Sequence, residues 1–246
     1  MVLSVIIPAY NEAKNLPGTI KAFHENLCKG AIPHEILVVN DNSSDDTIQV
    51  LNALKNEVAG LEWITNDSPH NGFGFAVRRG LESFKGDCAA IVMADGSDDP
   101  ADLVKFYRVM VVENLDCVFG SRFMKESVVN DYPWLKLRIN RIANNLVRVV
   151  FGIRYNDCTN AFKLYRRHTI EGLRPFLAPH FNLTLELPLK AIVRGYSYKV
   201  LPNSWNNRKH GTSNLKIREM GSRYFFILLY CLIEKYFSKG DFKKKW

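Results

Sequence analysis

The segment Cys88-Ala89-Ala90-Ile91-Val92-Met93-Ala94-Asp95-Gly96-Ser97-Asp98-Asp99-Pro100 decides the fold. Its first six residues form a short apolar run bounded by turn residues, which reads as a buried strand. Pro100 opens a helix to about residue 113, at a position where its missing N–H costs nothing. Between strand and helix lie three carboxylates. At the end of an apolar strand they are costly unless paired, hydrated or bound to a cation.

The same strand–polar turn–helix unit recurs on either side. Residues 3–8 and 35–40 read as strands, the second almost continuously apolar and so buried on both faces. Residues 13–27 and 45–58 read as the helices that follow them. A weaker strand at 61–64, a helix at 74–84 and a strand at 117–120 complete the first half. A repeated βα pattern predicts a mostly parallel sheet, with right-handed crossovers and helices on both faces. The second half is less regular: a helix at 135–151, a strand at 161–165, a helix at 183–194 and a strand at 198–202. No internal repeat, low-complexity tract or linker interrupts it.

The chain has 246 residues, 47% hydrophobic and 24% charged, which excludes collagen-like, disordered and disulfide-scaffold classes. Its five cysteines show no CxxC and no Cys/His pairing at metal spacing, so reduced thiols and no zinc site are expected. No basic region precedes the first apolar run, and no signal peptide is read. The net charge of +8 hides a division. Residues 1–135 carry −8, whereas 136–167 and 205–246 carry +7 each. Carboxylates suit a metal ion carrying a polyanion; the basic half suits phosphate or an anionic membrane. Nucleic acid is not expected as a partner, because the acidic half would repel its backbone and no recognition module is visible.

Ligands of such sheets sit beyond the carboxyl ends of the strands, where the polar clusters fall. Hard oxygen ligands favour Mg²⁺ or Mn²⁺, so Asp95 is expected to meet the metal. Asp98 or Asp99 also has the position of a helix cap. Asp41, after the second strand, can accept hydrogen bonds from a base or ribose, or serve as a turn residue. Tyr10 ends the first strand, where an aromatic ring either stacks on a nucleobase or packs. The run Asn71-Gly72-Phe73-Gly74-Phe75-Ala76-Val77 fails as a dinucleotide fingerprint: Val77 replaces its third glycine. It reads as a permissive loop that brings Arg78 and Arg79 near phosphate. No Ser/His/Asp or Cys/His arrangement stands out.

Taken together, SVIIPAYNEAKNL, EILVVNDNSSDDT, NGFGFAVRRG, VMADGSDDP, FGSRF and NDCTNAFKLYRR resemble glycosyltransferase family 2 with the GT-A fold. Within that family they resemble the dolichol-phosphate mannose synthase and polyprenyl-phosphate glycosyltransferase group, over about residues 2–215. The resemblance implies that Pro8, Tyr10, Glu12 and Asp41 hold the nucleotide sugar. Asp95 matches the metal-binding aspartate of the family's D-x-D motif; Met93 stands where the first aspartate often lies, so the metal is expected on Asp95 with help from Asp98, Ser97 or water. Arg122 resembles the arginine at the acceptor phosphate; Lys136 and Asn140 replace the Arg and Ser of an acceptor-site helix. Asp157 and Thr159 lie in the block before the acceptor-side strand. Arg208 resembles the family's R-x-x-G-x-S segment that closes over the diphosphate. The implied reaction moves a hexose, with inversion, from a nucleotide-diphosphate sugar of GDP-mannose or UDP-glucose type to a polyprenyl phosphate. The catalytic residues it implies are Asp95, Arg122 and Arg208.

A family relative acting on a saccharide or other hydroxyl is the alternative, and it needs a general base, with Asp157 or Asp98 first in view. A membrane-binding scaffold without activity is the non-enzymatic reading that Met93 invites. Residues 224–233 are apolar for ten positions, about 15 Å of helix, too short to span a membrane. With Arg218, Arg223 and Lys243-Lys244-Lys245 beside it, the 216–246 segment reads as an amphipathic helix in the membrane interface, or else a helix packed on the domain. The expectation is thus a 1–215 catalytic domain with a 216–246 tail, cytoplasmic and peripheral at the cytoplasmic membrane face. A homodimer or a separate membrane partner protein is left open.

Overall fold

The computed structural model describes residues 1–207 and 217–244, the side chains of 217–220 excepted. Four βα units and a fifth strand open the chain: β1 Leu3–Ala9, α1 Leu16–Lys29, β2 His34–Asn40, α2 Thr47–Glu57, β3 Leu61–Thr65, α3 Phe73–Ser83, β4 Cys88–Ile91, α4 Pro100–Val112 and β5 Cys117–Ser121. The later elements are β6 Val129–Asn130, α5 Trp134–Phe151, β7 Lys163–Arg166, α6 Arg167–Gly172, α7 Leu183–Val193, β8 Tyr198–Pro202, β9 Trp205–Asn206 and α8 Ile217–Phe237.

Seven strands form one sheet in the order β3-β2-β1-β4-β7-β5-β8. All pairings are parallel except those of β7, which is antiparallel to both β4 and β5. The mostly parallel sheet is as expected. The reversal of β7 was not foreseen, and it turns the beginning of that strand toward the carboxyl ends of its neighbours.

Period-two alternation feeds two cores. Leu3, Val5, Ile7 and Ala9 of β1 join Ile20, Phe23, Leu51, Leu103 and Phe106 on the α1/α2/α4 face. Ile6, Leu37 and Val39 join Val77, Leu81, Leu185 and Leu189 on the other. Each such side chain contributes about 1.5–3 kcal/mol when fully buried. Helix α3 lies so close that a Cβ on Gly80 would meet Ile6 Cγ2 at 2.5 Å.

The β4 strand ends at Ile91, two residues before the expected Met93, because the Met93 N–H is taken by the Asp98 carboxylate at 3.0 Å. Helix α8 packs against the body through Ile227 and Cys231, both fully buried. Its Glu234 forms a bidentate pair with buried Arg194, at 2.7 and 2.8 Å. Its other side exposes Phe225, Phe226, Leu229, Ile233, Tyr236 and Phe237. Among the described residues, no helix is long and apolar enough to cross a membrane.

Candidate active site

The chain runs outward from β1 to β2 and β3, then returns to the other side of β1 as β4. That makes the β1/β4 boundary a topological switch point, where ligands of such sheets bind. Three loops leave the carboxyl ends of the adjacent strands β2, β1 and β4. They carry Asp41, Tyr10 to Glu12, and Asp95 to Asp99.

The first two loops are tied together. Asn11, at φ 55°, accepts the Ser44 N–H at 2.8 Å, and the Glu12 N–H donates to Thr47 Oγ1 at 3.1 Å. Pro8 pairs with Val39 inside the sheet, so it sets the strand end rather than projecting from it. The Tyr10 ring is 43% exposed, which leaves it open to stacking. Asp41 is buried; its carboxylate accepts from Asn66 Nδ2 at 2.6 Å and the Gly72 N–H at 2.7 Å. Burial raises the Asp41 pKa, and those two hydrogen bonds oppose the rise.

The Gly72/Gly74 loop has a packing role as well. A Cβ on Gly74 would meet the Pro179 carbonyl carbon at 2.4 Å, so the α3 start and the 178–180 segment touch backbone to backbone. Arg79 pairs with Asp67 at 3.2 Å, and the Nε and Nη2 of Arg78 are buried without a hydrogen-bond partner.

At the acidic turn, Gly96 (φ 71°) lets the backbone double back, and Asp95 Oδ1 accepts the Ser97 N–H at 3.1 Å. Asp99 is the helix cap, accepting the Ala101 N–H at 2.8 Å. Asp98 does not cap; it is 4% exposed and accepts from Met93. Burial pushes its carboxyl up to about 7; the Met93 N–H and Arg122 oppose this, while Asp95 and Asp102 add to it. Neighbouring hard carboxylates, one of them lifted chiefly by burial and further by its acidic neighbours, are a donor set suited to Mg²⁺ or Mn²⁺. Asp95 and Asp98 therefore fit the metal expected there.

The acceptor-side residues converge on a side chain that sequence reasoning missed, Tyr132. The Arg122 guanidinium carbon lies 5.5 Å and Lys136 Nζ 5.8 Å from its ring centre; Asn140 Nδ2 donates to its hydroxyl. Arg122 and Tyr132 border an open cleft of about 640 Å³, also lined by Lys125, Asp131, Leu137 and Arg141, whereas the expected Lys136 and Asn140 reach Tyr132 without lining it. Arg138, on the same helix, is exposed and does not line it either. Arg141 does; its position one turn after Leu137 on α5 was the available signal.

Arg122 is anchored by Asp157. Its Nε and Nη2 reach the two carboxylate oxygens at 2.8 Å each, and its backbone N–H adds a bond of 2.9 Å. Burial works against the Arg122 charge, but Asp157 more than compensates and raises its pKa. The cleft and the acidic turn are physically joined. Asn206 N–H donates to the Ser97 carbonyl at 2.9 Å, Trp205 N–H to the Val128 carbonyl at 2.8 Å, and the Trp205 ring packs 4.8 Å from Tyr132. Arg208, the expected diphosphate clamp, lies outside the described residues.

Comparison with known proteins follows the same lines. The family model described as Glycosyl transferase family 2 matches residues 4–174. Polyprenol monophosphomannose synthase of Mycolicibacterium smegmatis is 30% identical over 221 residues, covering 86% of this chain and 80% of that protein. Glycosyltransferase AglD of Haloferax volcanii is 27% identical over 207 residues, 82% of this chain but only 33% of its own length. Among solved structures, glucosyl-3-phosphoglycerate synthase from Mycobacterium tuberculosis, crystallised with Mn²⁺, UDP and phosphoglyceric acid, superposes with a TM-score of 0.71. It is 18% identical, and the match covers 94% of this chain and 78% of that one. At that identity the likeness speaks for the GT-A-type fold alone.

Proposed function

The chain belongs to glycosyl transferase family 2, and from that membership we propose that it moves a hexose from a nucleotide-diphosphate sugar to a polyprenyl phosphate, with inversion at the anomeric carbon. The observation that carries the acceptor assignment is the Tyr132 cleft. Arg122, Lys125 and Arg141 bring cationic groups to this cleft, and Lys136 lies over the Tyr132 ring that helps line it. Helix α5, which forms one wall, turns an apolar stripe outward: Leu135, Ile139, Ile142, Leu146 and Val149, spaced at helical period. A charged head beside a greasy, unpartnered helix face matches a lipid phosphate.

The chemistry of the acceptor agrees. A phosphate monoester has a second pKa near 6, so it is mostly dianionic at pH 7 and needs no base. It needs cations that hold it in line with the anomeric carbon. A hydroxyl acceptor needs a base, and both candidates are engaged elsewhere: Asp157 holds Arg122 with both oxygens, and Asp98 is buried against Met93.

On the donor side, Tyr10 stacks on the base, Asp41 accepts from base or ribose, and the Pro8–Glu12 turn cradles the nucleotide. Asp95, with Asp98, holds Mg²⁺ or Mn²⁺. When bound, that ion supplies Lewis-acid neutralisation of the departing nucleoside diphosphate. Arg208 closes over the same diphosphate. The reading also puts the protein at an anionic, cytoplasmic membrane face, with α5 and the 216–246 segment beyond the 1–215 catalytic unit lying in the interface.

Incubating the protein with radiolabelled UDP- and GDP-hexoses, Mg²⁺ and undecaprenyl or dolichyl phosphate tests the reading. We expect organic-soluble product of inverted configuration, reduced about 10²-fold or more by Asp95→Asn with folding intact. Water-soluble product alone, or retained configuration, would refute it.

A further inference from the structure

At the opposite end of the sheet, where β2 begins, α1 brings three soft ligands together. His24 and Cys28 are one turn apart on its last two turns, and His34 is the first residue of β2. The candidate donor atoms of these three residues lie within 4.8 Å of one another. His24 Nδ1 and His34 Nε2 are 3.0 Å apart, and Cys28 Sγ lies 3.7 Å from His24 Nε2. We propose that His24, Cys28 and His34 form a transition-metal site for Zn²⁺, with a water completing a tetrahedral shell.

Three features carry this assignment. First, the His34 tautomer is fixed: its Nδ1 lies 2.8 Å from the Ile32 carbonyl, which can only accept, so Nδ1 bears the hydrogen and Nε2 offers a lone pair. A ligating histidine held by a backbone carbonyl on its other nitrogen is the usual arrangement around zinc. Second, the spacing is close to that required. Zn–N bonds of about 2.0–2.1 Å in tetrahedral geometry put two nitrogens about 3.3 Å apart, a few tenths more than observed. Cys28 is exposed near the end of α1, so its thiol has room to rotate inward.

Third, the ligand chemistry differs from that of the acidic turn. Thiolate and imidazole strongly favour Zn²⁺ over Mg²⁺ or Mn²⁺, whereas carboxylates discriminate far less and suit the hard ions. The proton balance is simple. Without an ion, His24 Nδ1–H donates to His34 Nε2; with one, that hydrogen moves to His24 Nε2 and the Cys28 thiol releases its proton to water. One proton leaves per ion bound. The ion would pin the end of α1 to the start of β2 and close the 24–34 loop.

Cobalt(II) substitution reads the site directly, because thiolate-to-cobalt charge transfer absorbs in the near ultraviolet. The titration uses the full chain in excess Mg²⁺, which occupies the acidic turn. We expect one Co²⁺ per chain with that band, displaced by one equivalent of Zn²⁺. The other four cysteines are buried, so Cys28→Ser should abolish the band. His34→Ala should weaken binding at least about tenfold. His24→Ala gives a second reading should His34→Ala disturb β2, and Asp95→Asn should leave the band intact. No thiolate band in the natural protein, its persistence in Cys28→Ser, or its loss in Asp95→Asn would overturn the site.

Discussion

Arg122 commits Nε and Nη2 to Asp157 and leaves Nη1 toward Tyr132, 3.5 Å from its hydroxyl. The pair is almost wholly buried, with the Asp157 side chain fully so. Removing one member of such a pair leaves an uncompensated charge inside the protein, which typically costs about 3–5 kcal/mol. Asp157→Ala should therefore lower the unfolding free energy by about that amount, as measured by urea denaturation. Parity with the natural protein would mean the pair is solvated. Much of the site was legible at this scale, because Asp41, Asp95 and Asp98 are carboxylates at the ends of apolar runs, where charge demands an explanation. Tyr132 was not: its role depends on the fold of the 122–132 loop back onto α5, and nothing local in Asp131-Tyr132-Pro133 announces it. His24, Cys28 and His34 were passed over for a similar reason. The third ligand comes from a strand, and neither His nor Cys spacing within one element matched a familiar metal pattern.

The segment that follows helix α8 ends in a clamp. Lys244 Nζ meets the two Asp116 oxygens at 2.9 and 3.1 Å, Ser197 adds its N–H and hydroxyl at 2.8 Å each, and His168 Nε2 lies at 2.7 Å. Lys244 is thus engaged by the body of the protein, although its sequence setting reads as part of a membrane-facing lysine cluster. Burial would raise the Asp116 pKa, but those donors together lower it to about 2. A carboxylate depressed in the folded state stabilises fully above its unfolded pKa near 3.9, and the contribution is lost as pH falls toward 2. Asp116→Asn should thus cost about 2 kcal/mol at pH 7. The gap to the natural protein should shrink below pH 4 in chemical denaturation, and a gap independent of pH would contradict the clamp. Among the elements, the parallel strands and their helices were legible because apolar runs and polar turns alternate so regularly. The direction of β7 was not: four residues of LysLeuTyrArg carry no mark of parallel or antiparallel pairing. Helix α6, at six residues, is too short to show a period.

At the scale of the whole molecule, the two exposed apolar faces belong together. Val147 and Phe151 of α5 share a core with Ile227 and Cys231 of α8, and Lys235 Nζ donates to the Phe151 carbonyl at 2.6 Å. The two helices therefore present neighbouring stripes, Ile142 at 70% and Phe225 at 66% exposed being representative. Exposed Arg138, Arg141 and Arg148 share α5 with its stripe. Such a face suits anionic lipid, which supplies negative charge for the arginines and hydrocarbon for the stripe. Burying an aliphatic side chain contributes about 1.5–3 kcal/mol, so introducing charge at two positions should remove at least about 3 kcal/mol, or some hundredfold in affinity. The combined Ile142→Glu and Leu146→Glu variant should fold normally yet lose flotation with vesicles containing anionic lipid. Natural protein should also detach in part at 1 M salt, where the screening length falls to about 3 Å, and keep the residue of binding that the apolar stripe provides. Vesicle binding unchanged by both glutamates would refute the membrane role. If those substitutions instead dissolve a dimer seen by sedimentation, the face is a contact between two copies of the chain.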